Sequence, residues 1–139
     1  MSMFKAMDLS ASGLTAQRQR LDVIAENLAN INTTRTAQGG PYKKKSVVLE
    51  ATPQDDFDSY LGSPEQVEVV RVTSDPKAVR PELDPGHPDA DKNGMVLYPD
   101  INPVTELVHL MLASRAYEAN ISVLRTGKAM AQKALDIVK

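Results

Sequence analysis

The feature that most constrains this chain is an uninterrupted helical pattern across residues 102–139. Asn102 can accept a hydrogen bond from a free amide and Pro103 suits the first helical position, so this pair predicts a helix start. Apolar residues then recur in a near-heptad seam: Leu107, Leu110, Tyr117, Ile121, Leu124, Ala131, Leu135 and Val138. Such a helix would be about 50 Å long. A small compact domain cannot hide that stripe, so the helix requires a partner.

The partner is predicted at residues 3–31, which form a second amphipathic helix. Its apolar residues stand seven apart, with two isoleucines on the adjoining edge: Met7, Leu14, Leu21, Leu28, Ile24 and Ile31. Periodicity leaves two interpretations open. The segment is either a core helix of a small bundle, or one of two arms that pair as a coiled coil and also pack against neighbouring subunits.

The composition offers little material for a dense globular core, because aromatic residues make up only 4% and there is no Trp. A formal net charge of -2 gives no electrostatic reason to expect nucleic acid as a partner. The absence of Cys excludes a disulfide framework. No segment has the apolar core of a secretory signal or the length of a membrane span, so we expect a chain that is not membrane-inserted.

Residues 33–102 lack the helical repeat of apolar residues and predict a β-rich insert with loops. Strands are predicted within residues 42–51, at 67–72 and at 96–98, whereas the proline-rich segment 76–88 is expected to be extended rather than regular. Residues 52–64 are expected to form an exposed loop. The predicted fold is therefore mainly α with a small β insert. Residues 1–32 and 103–139 pair as an antiparallel coiled coil, and 33–102 lie between them.

One segment of the insert resembles a calcium loop. Asp89, Asp91, Asn93 and Gly94 have the spacing of alternating oxygen ligands around a glycine turn, and Asp100 occupies the twelfth position. Nearby prolines forbid a preceding helix, however, and Asp stands where a bidentate Glu is usual. We therefore favour a polar turn before the strand at 96–98, and expect neither a metal nor another cofactor.

Catalytic chemistry has little support in the sequence. His87 and His109 lie in different modules without an adjacent nucleophile or carboxylate set, so no enzyme is expected. The lysine run at 43–45 is interpreted as a solvated strand edge rather than a phosphate-binding site. Arg115 and Glu118, three residues apart, predict an ion pair on the helix surface.

Several motifs resemble those of the flagellar rod and hook family. The N-terminal motifs are ASGLTAQR at 11–18 and NLANINTT at 27–34, and the following RT at 35–36 and GGPY at 39–42 resemble proximal rod members in particular. The middle and C-terminal motifs are DPGHPDAD at 84–91, SRAYEAN at 114–120 and MAQKAL at 130–135. The motif residues singled out are Asn27, Asn30, Asn32, Thr33, Arg115, Tyr117, Glu118 and Asn120.

The resemblance implies a structural subunit of the bacterial flagellar basal-body rod, located where the rod crosses the periplasm and exported without a cleaved signal. Implied partners are further copies and other rod proteins in a helical tube, membrane-ring or adaptor proteins at the rod base, and the flagellar export apparatus. The Met7–Leu28 stripe would meet residues 110–124 within a subunit. Other apolar edges would dock on adjacent subunits: Ile24, Ile31, Met111 and Val123.

A second hypothesis is a cytosolic two-helix adaptor or secretion chaperone that binds one client helix along its seam. A third is a Ca²⁺-binding module. Because an isolated rod subunit would leave its stripes in water, the first hypothesis also predicts that both arms are largely disordered in a dilute monomer. An adaptor would instead be a discrete folded dimer.

Overall fold

In the computed structural model, which describes residues 3–53 and 65–137, two long helices stand at the two ends of the chain and four short strands lie between them in sequence. The bounds in chain order are α1 Met3–Ala29, β1 Lys45–Pro53, β2 Glu65–Ser74, β3 Val79–Leu83, β4 Met95–Pro99 and α2 Pro103–Ile137. The predicted class, mainly α with a small β insert, is confirmed. The predicted exposed loop at 52–64 lies almost wholly outside the described residues.

The helices α1 and α2 pack against each other in antiparallel fashion. Asn27 near the end of α1 contacts Glu106 near the start of α2, while Met7 near the start of α1 packs against Gly127 late in α2. Halfway along, Gly13 lies against Asn120. The α2 positions in these contacts are 106, 120 and 127, and buried Ala113 falls in the same series. This seven-residue repeat is the spacing of a coiled-coil seam.

The helix ends follow local side-chain chemistry. Asn102 caps α2 as predicted, because its Oδ1 accepts hydrogen bonds from Val104 N at 2.9 Å and Thr105 N at 3.3 Å. Helix α1 ends at Ala29, two residues before the predicted bound. Asn30 explains the early end: its Nδ2 donates to Glu26 O at 2.9 Å and its Oδ1 accepts from Thr33 Oγ1 at 3.1 Å.

The described part of the insert contains two separate antiparallel two-stranded sheets, β1–β2 and β3–β4. The β1–β2 pair has an irregularity between Val48 and Leu49. It lies along α1, where Val67 N donates to Ser12 Oγ at 3.3 Å. Ser12 therefore gives one backbone amide of β2 a partner on the helix.

The expectation that the proline-rich segment is irregular was wrong for β3, which pairs Val79 with Pro99 and Leu83 with Met95. Pro81 is tolerated within β3 because both strands of a two-stranded sheet are edge strands, so a residue without an N–H can face away from the ladder. The composition of β3 alone does not predict a strand, and its extended pairing depends on its partner β4.

The apolar interior is small. Its buried hydrophobic members are Ala16, Ile24, Tyr42, Val96, Ile101 and Ala113. Among the residues that the structure describes, the polar side chains of Ser10, Asn27 and Glu106 are buried as well. Within residues 3–53 and 65–137, no helix is at once long and apolar enough to cross a lipid bilayer. The centre of the fold is therefore partly polar, and the polar contacts decide how the segments are joined.

Candidate assembly interface

Asn27 is the centre of a buried polar cluster, hereafter the Asn27 cluster, formed with Tyr42, Lys44, Lys45 and Glu106. Its Nδ2 donates to Lys45 O at 2.8 Å and Glu106 Oε2 at 3.3 Å. Its Oδ1 accepts from Tyr42 Oη at 3.0 Å and Lys45 N at 2.9 Å. All four hydrogen-bonding positions of the side-chain amide are therefore occupied. One residue of α1 thus holds both the start of β1 and the start of α2.

Glu106 brings a charge into this cluster. It is only 1% exposed, and its Oε1 lies 2.9 Å from Lys44 Nζ and 3.7 Å from His109 Nδ1. Its place near the N-terminus of α2 also favours a negative charge, because the free amides of a helix start carry partial positive charge. A buried carboxylate needs such partners, since an unpaired one is strongly destabilising.

The lysine run at 43–45 only partly fits the predicted solvated strand edge. Lys43 is exposed, but Lys44 pairs with buried Glu106 and Lys45 pairs with Glu26 of α1. The prediction was wrong for these two residues, because their glutamate partners come from the helices and are remote in sequence. The run therefore joins the insert to both helices.

The motif residues have distinct positions. Asn27 is buried and makes long-range contacts, whereas Asn30 and Thr33 bond to each other where α1 ends. Asn120 lies against Gly13, where its Nδ2 is 3.0 Å from the point that a Cβ would occupy. The remaining motif residues are half-buried Tyr117 and exposed Asn32, Arg115 and Glu118.

The predicted ion pair between Arg115 and Glu118 was wrong. Both side chains are exposed, and among the ion pairs of the described chain none joins them. Spacing of three residues permits such a pair on a helix but contributes only a few tenths of a kcal/mol, about 0.2–0.5. Solvent competes with a contact of that size.

Most predicted packing residues are half-buried along the helix pair: Met7, Leu14, Leu21, Leu28, Ile31, Leu110, Tyr117, Ile121 and Leu124. Leu107 and Leu135 are instead 51% and 69% exposed. Ile24 was expected to dock on a neighbouring subunit, but it is 5% exposed and lines a cleft beside Asn27 and Glu106. That expectation is corrected, because Ile24 faces the interior of its own chain.

The N-terminal third of α2 carries an exposed apolar surface, hereafter the α2 outer patch. It consists of Val104, Leu107, Val108, Met111 and Leu112. These residues are 44–67% exposed, and their spacing of three and four residues places them on one helix face. A helix that is apolar on both faces is suited to burial between two partners. Among the described residues, α1 supplies one of those partners, and the outer patch is left exposed.

A second exposed apolar group lies at the other end of the helix pair. It consists of Phe4, Met130, Leu135 and Ile137, which are 59–84% exposed. Because the helices are antiparallel, the start of α1 and the end of α2 meet here. The pair therefore presents apolar surface at both ends.

The calcium-like segment forms the predicted polar turn. Asp91 Oδ1 accepts from Asn93 N at 2.7 Å and Met95 N at 2.9 Å, and Gly94 has a φ of +75°. Asp89 is held elsewhere, by Thr34 Oγ1 at 2.9 Å. Among residues 3–53 and 65–137, no group of three His, Cys, Asp or Glu side chains is arranged to hold a metal ion.

The two histidines occupy separate sites. His87 Nδ1 accepts a hydrogen bond from Asp89 N at 3.1 Å and its ring meets Tyr98 edge-on, so it supports the loop before β4. His109 lies beside Glu106 at the edge of the Asn27 cluster. Both contacts are structural in character, and neither places a nucleophile next to a base.

Comparison with known proteins links both chain ends to one assembly. The family model described as "Flagella basal body rod protein" matches residues 7–35, and "Flagellar basal body rod FlgEFG protein C-terminal" matches residues 92–137. The chain is 37% identical to flagellar basal-body rod protein FlgC of Borreliella burgdorferi, covering 100% of this chain and 99% of the relative. Identity to the FlgC proteins of Bacillus subtilis and Salmonella typhimurium is 38% in each case, covering at least 98% of either partner.

Replacing Asn27 with Asp tests the cluster. The substitution Asn27→Asp removes the two Nδ2 donors and places a second carboxylate beside that of Glu106. We expect the free energy of unfolding to fall by about 3 kcal/mol or more. Denaturant unfolding of the full chain measures this. The control Asn32→Asp makes the same chemical change at an exposed turn and should stay within about 0.5 kcal/mol of the original. Equal effects of the two substitutions would contradict the assigned role.

Alkaline pH should weaken the same cluster. Burial, followed by the charges of Glu26 and Glu106, raises the pKa of Tyr42 from 10.0 to about 12. Because the folded chain holds this proton more tightly, the stabilisation is complete below pH 10.0 and is lost as the pH rises through about 12. The loss from this group is on the order of 2–3 kcal/mol.

Unfolding measured from about pH 8 to pH 12 in the original chain and in Tyr42→Phe isolates this effect, because lysine titration is common to both. The variant should lose less stability across that window. It should also be less stable at neutral pH by about 1 kcal/mol, since the hydrogen bond to Asn27 is gone. Identical pH profiles would refute the assignment.

Proposed function

Because the chain belongs to the FlgC family of flagellar basal-body rod proteins, it is a structural rod subunit and not an enzyme, and we propose that its paired terminal helices assemble helically with neighbouring subunits. Residues 1–32 and 103–139 would form the rod core domain, with 33–102 as an insert. The α2 outer patch carries this proposal, because it is a helix face of apolar residues that the described part of the chain leaves exposed.

The interface has two complementary parts. Residues of the α2 outer patch lie at one end of the helix pair, whereas exposed Phe4, Met130 and Ile137 lie at the other. Contacts between different surfaces of successive copies are heterologous, and repeated heterologous contacts build helical assemblies. In that arrangement the outer patch packs on a helix of an adjacent rod subunit, and each subunit covers apolar surface that another exposes.

The finer parts of the role follow from this packing. A tube of such subunits would transmit torque, because long side-by-side helix contacts resist shear along their whole length. Its lumen would form part of the export channel. We further propose ring or adaptor proteins at the rod base and the flagellar export apparatus as partners, a position crossing the periplasm, and export without a cleaved signal.

A cytosolic adaptor or chaperone is the alternative of another class. It would use the same apolar helix surface to hold one client helix. The similarity along the full chain to proteins named as rod subunits gives that alternative no support. It also predicts a closed, discrete dimer, which the test below distinguishes from a subunit that polymerises with partners.

Complementation of a strain lacking the gene tests the rod proposal. Electron microscopy of basal bodies from the null strain should show membrane rings without a rod, and the original gene should restore the rod. The double variant Leu107→Glu/Met111→Glu should fail to restore it, because it places two charges in the apolar contact that the outer patch makes with the adjacent subunit.

The matched control is Ser122→Glu/Thr126→Glu, which adds the same charges at the same spacing to exposed polar positions of α2. It should restore rods and motility. Both purified double variants should keep the helical content of the original chain. Normal rods in the null strain, or full rescue by Leu107→Glu/Met111→Glu, would argue against the proposal.

Disorder of the arms in a dilute monomer stays a prediction, and the cluster indicates where order would persist. The Asn27 cluster fastens the end of α1 and the start of α2, whereas the opposite end exposes Phe4 and Ile137. Amide hydrogen exchange should therefore show the weakest protection at residues 3–10 and 127–137. Strong protection along the whole of both helices would contradict it.

A further inference from the structure

We propose that Glu106, held by Asn27 and Lys44, fixes the register in which α1 and α2 pair. The inference concerns how the fold is specified and does not depend on the proposed function. Its starting point is that Glu106 is almost fully buried in a seam where an apolar residue would be expected. A buried polar contact in a helix pair can select one alignment among several that apolar packing allows.

The apolar stripes alone do not define one alignment. On α1 the half-buried residues of the stripe stand seven apart: Met7, Leu14, Leu21 and Leu28. On α2 they also stand seven apart: Leu110, Tyr117, Leu124 and Ala131. Sliding one helix by seven residues, about 10 Å, again places apolar residues opposite one another. The hydrophobic effect is non-directional and discriminates poorly between such alignments.

The polar contact does discriminate. A slide of seven residues in one direction places Asn27 opposite Ala113, which offers no hydrogen-bond partner. A slide in the other direction carries Asn27 beyond the start of α2 and places Glu106 opposite Arg20. In either case Glu106 leaves Lys44, because Lys44 stays beside β1, which Asn27 holds. Only the observed alignment satisfies the amide and the carboxylate together.

Steric fit is the competing explanation for the register. Gly13 accommodates Asn120, and Met7 Cγ lies 3.3 Å from the point that a Cβ at Gly127 would occupy. These contacts would also be lost on sliding. The test must therefore compare chains that carry the same changes at the glycine contacts and differ only in the polar contact.

The background Lys44→Met/Glu106→Leu does this. It replaces the buried ion pair with apolar side chains of similar size and leaves Asn27 bound to Tyr42 and Lys45. Replacing a buried ion pair in this way is often neutral or stabilising. Glu106→Gln is the matched control, because it keeps an oxygen acceptor for Asn27 at the same place without the charge.

Cysteine pairs report the alignment, since the chain contains no Cys of its own. Met7→Cys with Gly127→Cys cross-links the observed register. Gly13→Cys with Gly127→Cys, and Met7→Cys with Asn120→Cys, cross-link the two shifted ones. In the observed register the shifted pairs are about 10 Å apart along the helices, beyond the reach of a disulfide. Disulfide yield in the full chain is measured under mild oxidation.

In the original chain and in Glu106→Gln, only the Met7/Gly127 pair should close efficiently. In Lys44→Met/Glu106→Leu the yield of at least one shifted pair should rise about tenfold or more, with helical content retained. Exclusive closure of Met7/Gly127 in that background would assign the register to the remaining steric fit of the helices and overturn the proposal. Loss of helical content would overturn it as well, because the cluster would then supply stability rather than alignment.

Discussion

The contact between the carboxylate of Glu106 and the amide of Asn27 is the interaction on which the rest of this structure depends. It joins residues 79 positions apart in sequence. Tyr42 and Lys45 bind the same amide, so the two helices and the strand β1 meet at one side chain. This contact contributes strongly to stability because it is buried. If either Asn27 or Glu106 were removed, the other side chain would be left without water or a hydrogen-bond partner.

The distribution of apolar residues complements this polar centre. Buried positions of the helix seam include Asn27, Glu106 and Ala113, whereas Leu107 and Met111 are more than half exposed. A solitary domain gains stability by the opposite arrangement. The arrangement becomes favourable when neighbouring subunits cover the outer faces, which agrees with membership of a family of rod proteins. Assembly with neighbouring subunits therefore explains both the small interior and the large exposed apolar surface.

Local patterns predicted much of this fold. The Asn102–Pro103 start, the two long helices and the β insert followed from periodicity and capping chemistry. Strand β3 did not, because Pro81 argues against a strand and its partner β4 supplies the pairing. The roles of Lys44 and Glu106 were missed for a similar reason: a charged residue is ordinarily read as exposed, and its partner here is remote in sequence. The seven-residue series 106, 113, 120 and 127 was the signal that could have revealed them.

The polar character of the centre also determines what water meets when the helix pair opens. The groups released from the Asn27 cluster are an amide, a phenol, two ammonium groups and a carboxylate, all of which hydrate readily. Ala113 and Gly127 in the seam add little apolar area. Opening confined to this end therefore exposes mainly groups that water solvates well, while the half-buried apolar stripe further along the helices stays covered.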